Sequence, residues 1–268
     1  VKRAVSNIAW PAAQDDAVAR ILRSAGIGGI EIAPRKLFSD PAAATDEQVI
    51  AVRKLWEDRG LPIVAAQALL FGKPELTLFD SPETRQRTLD YLTRIVRLCA
   101  KLGAQALVFG SPKNRRRGSL PREHAEDIAV EFFAQLGRVA ADEGTCVVLE
   151  ANPPDYGADF ITTAAEAITL VERVNHPGFR LHLDAGCMML AGDPLTETFA
   201  RGGSILRHVH ISEPNLEPPG HSGRVDHAGF ATQLRQMNYA NWVSLEMREE
   251  SPFDLDRFQR HVEWFAGS

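Results

Sequence analysis

The stretch FRLHLDAGCMMLAGDPLTETFARGGSILRHVHI, residues 179–211, contains one complete unit of the fold. Short apolar runs suited to strands, 179–184 and 205–211, stand at its two ends. Between them Asp193–Phe199 reads as the weakest helix of the chain. A strand, a helix and a second strand in this order join parallel neighbours in a sheet. Each run also finishes on or beside a side chain of a type able to bind a cation, Asp184 in the first and His210 in the second.

The same unit recurs on both sides. Further runs at 3–9, 27–33 (IGGIEIA), 61–66 (LPIVAA), 104–109 (AQALVF), 145–151 (TCVVLEA) and 241–247 (NWVSLEM) bring the total to eight. Helix-like segments, among them Thr84–Leu102 and Arg122–Glu143, lie between them. Ser81-Pro82-Glu83 supplies an N-cap, a proline at the first helical position and an early acid, while Gly103 and Gly144 follow the last helical turns. Eight β/α units predict a single (β/α)8 barrel, a TIM barrel, over residues 1–268 as one domain. A doubly wound open sheet is the alternative. It usually has fewer strands and a glycine-rich phosphate loop after a strand, whereas Gly26-Ile27-Gly28-Gly29 precedes one and reads as a helix-to-strand turn.

Composition agrees with a soluble enzyme-sized domain. Hydrophobic residues are 44% and charged residues 24%, and the formal net charge is −5, so there is no broad basic surface for a phosphate backbone. Nucleic acid is not an expected partner. No stretch is apolar for long enough to cross a bilayer, and no leader-like apolar segment opens the chain. Cys99, Cys146 and Cys187 show no disulfide spacing, which fits a reducing cytoplasm.

In a parallel barrel every strand opens its C-terminal end on the same face, so strand-end residues distant in sequence converge. The last four strands close as VVLE, LHLD, HVHI and VSLE, presenting Glu150, Asp184, His210 and Glu246. A lone strand-end glutamate is usually a loop acid, but four ligand-type residues on consecutive strands point to one metal centre. Three carboxylates and one imidazole suit Mn2+ or Mg2+, with Co2+ or Zn2+ as alternatives. By strand parity His182 shares a face with Asp184 and His208 with His210, one layer deeper, where they would orient the ligands or bond within the core.

At these residues the sequence resembles the sugar phosphate isomerase/epimerase family, the xylose isomerase-like barrels that include ketose 3-epimerases, inosose isomerases and dehydratases, and endonuclease IV. The resemblance runs through SNIAW, AAQALLFGKPELTLF, VFGSPKNR, LEANPPDYGADFITT, HLDAGCM, HVHISEPNLEPPG and NYANWVSLEMR, nearly the whole chain. It implies one divalent metal on Glu150, Asp184, His210 and Glu246, with Glu150 and Glu246 also serving as the acid/base pair. The histidine-rich inserts of the endonuclease IV relatives are missing, which disfavours DNA repair. Many relatives carry a histidine three residues after the sixth-strand aspartate, where this chain has Cys187. A small apolar filler or a thiol near the ligand would stand there instead.

The implied activity is that of a metal-dependent isomerase or epimerase of a sugar or sugar-like hydroxy-ketone. A chelated carbonyl and hydroxyl would acidify the adjacent C–H and stabilise an enediolate, and the two glutamates would move the proton. Loss of a β-hydroxyl would make the same apparatus a lyase, or dehydratase, of a keto-cyclitol. A metal-dependent hydrolase of the endonuclease IV type and a non-catalytic sugar-binding barrel are the other readings.

Around this centre the expected substrate contacts are Glu213, Arg248, Cys187 and His182, with Trp10, Gln67 and Phe71 walling the pocket. His221, Arg224 and His227 lie in NLEPPGHSGRVDH, a connection long enough to cover the site. Lys113, Asn114 and the Arg115-Arg116-Arg117 run lie after the fourth strand, where a basic loop could hold an anionic or polyhydroxylated ligand; a solvated loop is the alternative. No glycine-rich phosphate site follows strands seven or eight, so a free sugar or cyclitol is favoured, with a phosphorylated or nucleotide-linked sugar left open. The resemblance also allows a homo-oligomer.

Overall fold

The computed structural model describes residues 1–267. Eight parallel strands close into a barrel in sequence order: β1 (Lys2–Ser6), β2 (Gly29–Ile32), β3 (Ile63–Ala66), β4 (Ala106–Phe109), β5 (Val147–Leu149), β6 (Phe179–Asp184), β7 (Leu206–Ile211) and β8 (Trp242–Leu245). β1 pairs with β8 and completes the ring. The (β/α)8 barrel expected from the eight runs is therefore the fold.

Helices surround the ring: α1 (Asp15–Ser24), a short α2 (Pro34–Leu37), α3 (Asp46–Asp58), α4 (Pro82–Leu102), α5 (Arg122–Asp142), α6 (Ala164–Val174), α7 (Ala185–Ala191), α8 (Leu195–Gly202), α9 (His227–Gln236) and α10 (Leu255–Gly267). Ser81 caps α4 by accepting from the Thr84 amide, and Gly103 ends it with a left-handed φ of 100°. No described helix is long and apolar enough to cross a membrane.

Strand alternation sorts the interior into two layers. Residues such as Ile30, Leu107, Phe109, Val147, Leu149, Phe179 and Leu181 belong to the large core beneath the helices. Ala65, Ala106, Val108, Cys146 and Val148 form a separate small cluster, the apolar half of the barrel lumen. The other half is polar: Ser6, Glu31, His182, His208 and Ser244 are all buried. Buried polar groups persist only where they satisfy one another or a ligand, so the lumen beneath the last strands is already chemically distinct.

Several boundaries differ from the sequence expectation, for local reasons. The first strand stops at Ser6 because Asn7–Ala9 forms a 3-10 turn that the Ser6 side chain caps. The weak helix expected at Asp193–Phe199 is α8, begun two residues later by Pro194 and continued to Gly202. Before it stands α7, which the sequence did not reveal; Asp184 nucleates it as N-cap by accepting from the Cys187 amide at 2.6 Å.

Candidate metal centre

β6 and β7 lie in register with Asp184 beside His210 and His182 beside His208. Glu150 and Glu246 follow directly after β5 and β8, whose last residues are Leu149 and Leu245. All four expected ligands lie at the C-terminal mouth, where Glu150, Asp184 and His210, together with His182, come within 4.8 Å of one another and Glu246 stands beside His210. His210 Nδ1 stands 3.2 Å from Glu246 Oε2 and 3.8 Å from Asp184 Oδ2. Glu150 adds a third carboxylate, 8% exposed, whose ligand atom lies within 4.8 Å of those of Asp184, His210 and His182.

Whether these residues suit a cation can be judged from their own bonding. His210 Nε2 lies 2.9 Å from Glu31 Oε2, a carboxylate 0% exposed. That contact uses one ring nitrogen and leaves Nδ1 aimed among the carboxylates without a hydrogen bond of good geometry to either. A ligand histidine typically has its second nitrogen held in this way. Burial alone would raise Glu31, yet His210 and His208 hold it well below the usual carboxylate range. Burial would lower His210, but Glu31 and Glu246 push it well above its ordinary value. Burial, with Asp184 and Glu246 nearby, pushes Glu150 up to about 8. Glu246 is likewise raised, by burial first, although His210 opposes the shift. Crowded carboxylates that resist ionisation are the residues a divalent cation would stabilise, so the donor set fits one.

Further residues shape the centre without having stood out in the sequence. Asn152 donates from Nδ2 to Glu150 Oε2 at 2.9 Å, and Ser212 Oγ donates to Asp184 Oδ2 at 2.7 Å. Gly110 lies against Glu150 so closely that an added Cβ would overlap Oε2. Signals for two of these were present in principle, a polar residue two positions beyond each of Glu150 and His210.

Arg115 corrects one expectation. It does not extend into solvent to meet an anion but is 0% exposed. Its guanidinium donates to the carbonyls of Gly110, Phe160 (3.2 Å) and Ile161 (3.2 Å) and to Asn152 Oδ1 (3.0 Å). Burial lowers its pKa to about 10, although Glu150 opposes the shift. Arg116 and Lys113 are exposed. Arg117 donates to the Leu120 carbonyl, and its backbone amide to Asp159. The loop is thus a brace behind Glu150 and Asn152.

Two cavities share the mouth. One, of about 450 Å³, is lined by Glu150, Asn152, Tyr156, Asp184, Cys187, Ser212, Glu213, Glu246 and Arg248 among others. The other, of about 580 Å³, is lined by Gln67, Phe71, Gly110, Glu150, His210 and Glu246, with Arg35 and Lys36 also on its wall. Gln67 and Phe71 thus line one cavity and Cys187 and Arg248 the other, with Arg248 also paired to Glu217. Burial raises the Cys187 thiol well above its ordinary value, with Asp184 and Glu150 adding to the effect.

Trp10, His182, Lys113, Arg224 and His227 line neither cavity. Trp10 turns outward after the Asn7–Ala9 turn, packs edge-on to Trp56 and Phe258, and donates to Asp15 at 2.8 Å. His182 lies one layer below Asp184, its side chain closed to solvent. Arg224 is exposed on the connection before α9. Glu213 borders the mouth, but its carboxylate is engaged by its own loop: Gly220 N (2.9 Å), Ser222 Oγ and His227 Nε2 (2.8 Å) all reach it.

Known proteins place this geometry in context. The chain is 22% identical over 211 residues to a D-psicose 3-epimerase of Enterocloster bolteae, covering 75% of this chain and 67% of that protein. Among the curated relatives it matches, the share of their length spanned runs from 53% to 67%. A 3-keto-D-glucoside 4-epimerase of E. coli superposes with a TM-score of 0.79 at 23% identity over 100% of both chains. A D-psicose 3-epimerase of Clostridium cellulolyticum H10, solved with D-tagatose, gives 0.80 at 18% identity over 98% of this chain and 96% of that one. The family model described as Xylose isomerase-like TIM barrel matches residues 19–267, and the chain belongs to that family.

Proposed function

We propose that the protein is a divalent-metal-dependent epimerase of a ketose or a related hydroxy-ketone. The observation that carries this reading is that Glu150 and Glu246 each line both mouth cavities. They arrive from β5 and β8, with β6 and β7 between them. A substrate lying across the shared boundary would meet carboxylates from two directions. Held by Glu150, Asp184, His210 and Glu246, the cation would supply Lewis-acid chemistry, drawing charge from a carbonyl and its neighbouring hydroxyl and so acidifying the adjacent C–H.

The chain's own carboxylates then move the proton. One glutamate removes it, and the other returns a proton to the opposite face, inverting that carbon. Return to the neighbouring carbon would give isomerisation instead. Relatives named as 3-epimerases support the first outcome. Three carboxylates to one imidazole favour Mn2+ or Mg2+. Three buried free cysteines accord with a reducing cytoplasm.

The test is solvent-deuterium incorporation at the carbon next to the carbonyl, followed by NMR across ketopentoses, ketohexoses and inososes with metal-replete protein. Exchange accompanied by an epimeric product is expected, and its loss in both Glu150→Gln and Glu246→Gln. No exchange with any of these substrates would defeat the proposal, and loss of water from the product would make the enzyme a dehydratase.

A further inference from the structure

Beneath the ligands lies an imidazole that the proposed proton transfer does not use. His182 projects from β6 one layer below Asp184, its side chain is 0% exposed, and neither ring nitrogen has a hydrogen-bond partner. Its ring lies near the backbone of His208 without meeting hydrogen-bond geometry. The contrast with its neighbour is sharp: His208 Nε2 has Glu31 at 3.1 Å and Ser244 at 3.2 Å. Burying an imidazole with both nitrogens unsatisfied is costly, and the direction in which His182 faces suggests what completes it.

His182 Nε2 stands 3.8 Å from Glu150 Oε1, and one donor atom each from Glu150, His182, Asp184 and His210 lies within 4.8 Å of the others. Donors around a single first-row divalent ion sit at about 2.0–2.2 Å from it, hence up to roughly 4.4 Å apart. The group is within a few tenths of an ångström of a coordination shell. The His182 and His210 rings meet edge-on, with centroids 4.2 Å apart, so imidazoles from adjacent strands approach the same region.

We infer that His182 supplies a second imidazole nitrogen to the divalent metal held by Glu150, Asp184, His210 and Glu246. This rests on the metal-dependent reading of the mouth. The donor set becomes two nitrogens and three carboxylates, which moves preference away from Mg2+ and toward Mn2+, Co2+ or Zn2+, since imidazole suits the transition ions.

Pulsed EPR of the full chain, loaded with Mn2+ and labelled with 15N-histidine, counts bound imidazoles directly. Two are expected in the unmodified protein and one in His182→Leu. Calorimetric titration should show Co2+ binding weakened in His182→Leu by more than the about 10–100-fold that loss of an outer contact costs, with Mg2+ binding changed much less. A single bound imidazole in the unmodified protein overturns the inference alone, whether or not the variant folds. Failure of the unmodified protein to bind any divalent ion overturns the metal-dependent reading and this inference with it.

Discussion

Glu31 reaches His210 across the barrel lumen, its Oε2 2.9 Å from Nε2, and thereby turns Nδ1 toward Glu246 Oε2 at 3.2 Å. The strand-end histidine is thus aimed by a residue that never meets the mouth. Glu31→Leu should lose this aim while keeping the side chain apolar in its buried place. Divalent metal affinity is expected to fall about 10–100-fold, measured by calorimetry with Mn2+. Unchanged affinity would mean that His210 is held by its own strand.

Gly110 tests how much room Glu150 needs. A Cβ at residue 110 would overlap Glu150 Oε2 and come within 3.3 Å of Asn152 Oδ1, so Gly110→Ala must push the carboxylate aside. Displacing a reacting group by about 1 Å can cost on the order of 100-fold in rate. A kcat loss of that order is expected, with circular dichroism unchanged. Activity close to wild type would show that Glu150 tolerates relocation.

The centre also makes stability depend on pH. In the metal-free protein Glu150 has its pKa raised from the ordinary 4.5 to about 8 by burial, with Asp184 and Glu246 contributing. A carboxyl raised in the folded state binds more protons there than in the unfolded chain, so its contribution to stability is full below pH 4.5 and is lost as pH rises toward 8. The Tm of metal-free protein should therefore decline across that window, more steeply than in Glu150→Gln. Added Mn2+ should reverse the decline, because the cation takes the place of the proton. Metal affinity itself should weaken by up to about tenfold per pH unit below 8 for each proton displaced.

Much of this site could be read from the chain because the proposed ligands sit at the ends of strands, and strand ends are a local signal. Glu150, Asp184, His210 and Glu246 needed only the β/α period and barrel geometry to be brought together. Glu31 could not be assigned similarly, since its partner His208 is 177 positions away and the contact depends on how the lumen closes. The Arg115-Arg116-Arg117 run left an anion-holding and a solvated loop both open, and a buried Arg115 fits neither, for a related reason. Three identical side chains in a row look alike in sequence, and only packing against Phe160 and Ile161 turns the first inward. The missing α7 has too few residues, and too little polar alternation, to register as a helix beside an apolar strand.

Arg115 should accordingly behave as a structural residue. Arg115→Met would leave the carbonyls of Gly110, Phe160 and Ile161 and the amide oxygen of Asn152 without their buried donor. Breaking such a buried charged network costs about 3–5 kcal/mol, and in a chain of this size each kcal/mol lowers Tm by about 2–4 °C. A drop on the order of 10 °C is expected by calorimetric scanning. A drop of only a degree or two, with substrate affinity lost, would restore the anion-binding reading.

Glu213 separates a latch from a substrate contact. Burial would raise its pKa, but Ser222, His227 and the Gly220 amide hold it below the ordinary value, and its side chain is 0% exposed. Those donors lie on the connection before α9 or at that helix's first turn, so the carboxylate ties the connection to the end of β7. His227 lines neither mouth cavity. If Glu213 works as a latch, His227→Ala should raise KM several-fold and speed proteolytic cleavage between residues 217 and 225, even though it removes nothing from the mouth. If Glu213 instead binds substrate directly, His227→Ala should leave cleavage unchanged while Glu213→Gln alone raises KM. Comparing the two variants by limited proteolysis and steady-state kinetics therefore distinguishes whether this carboxylate acts on the loop or on the ligand.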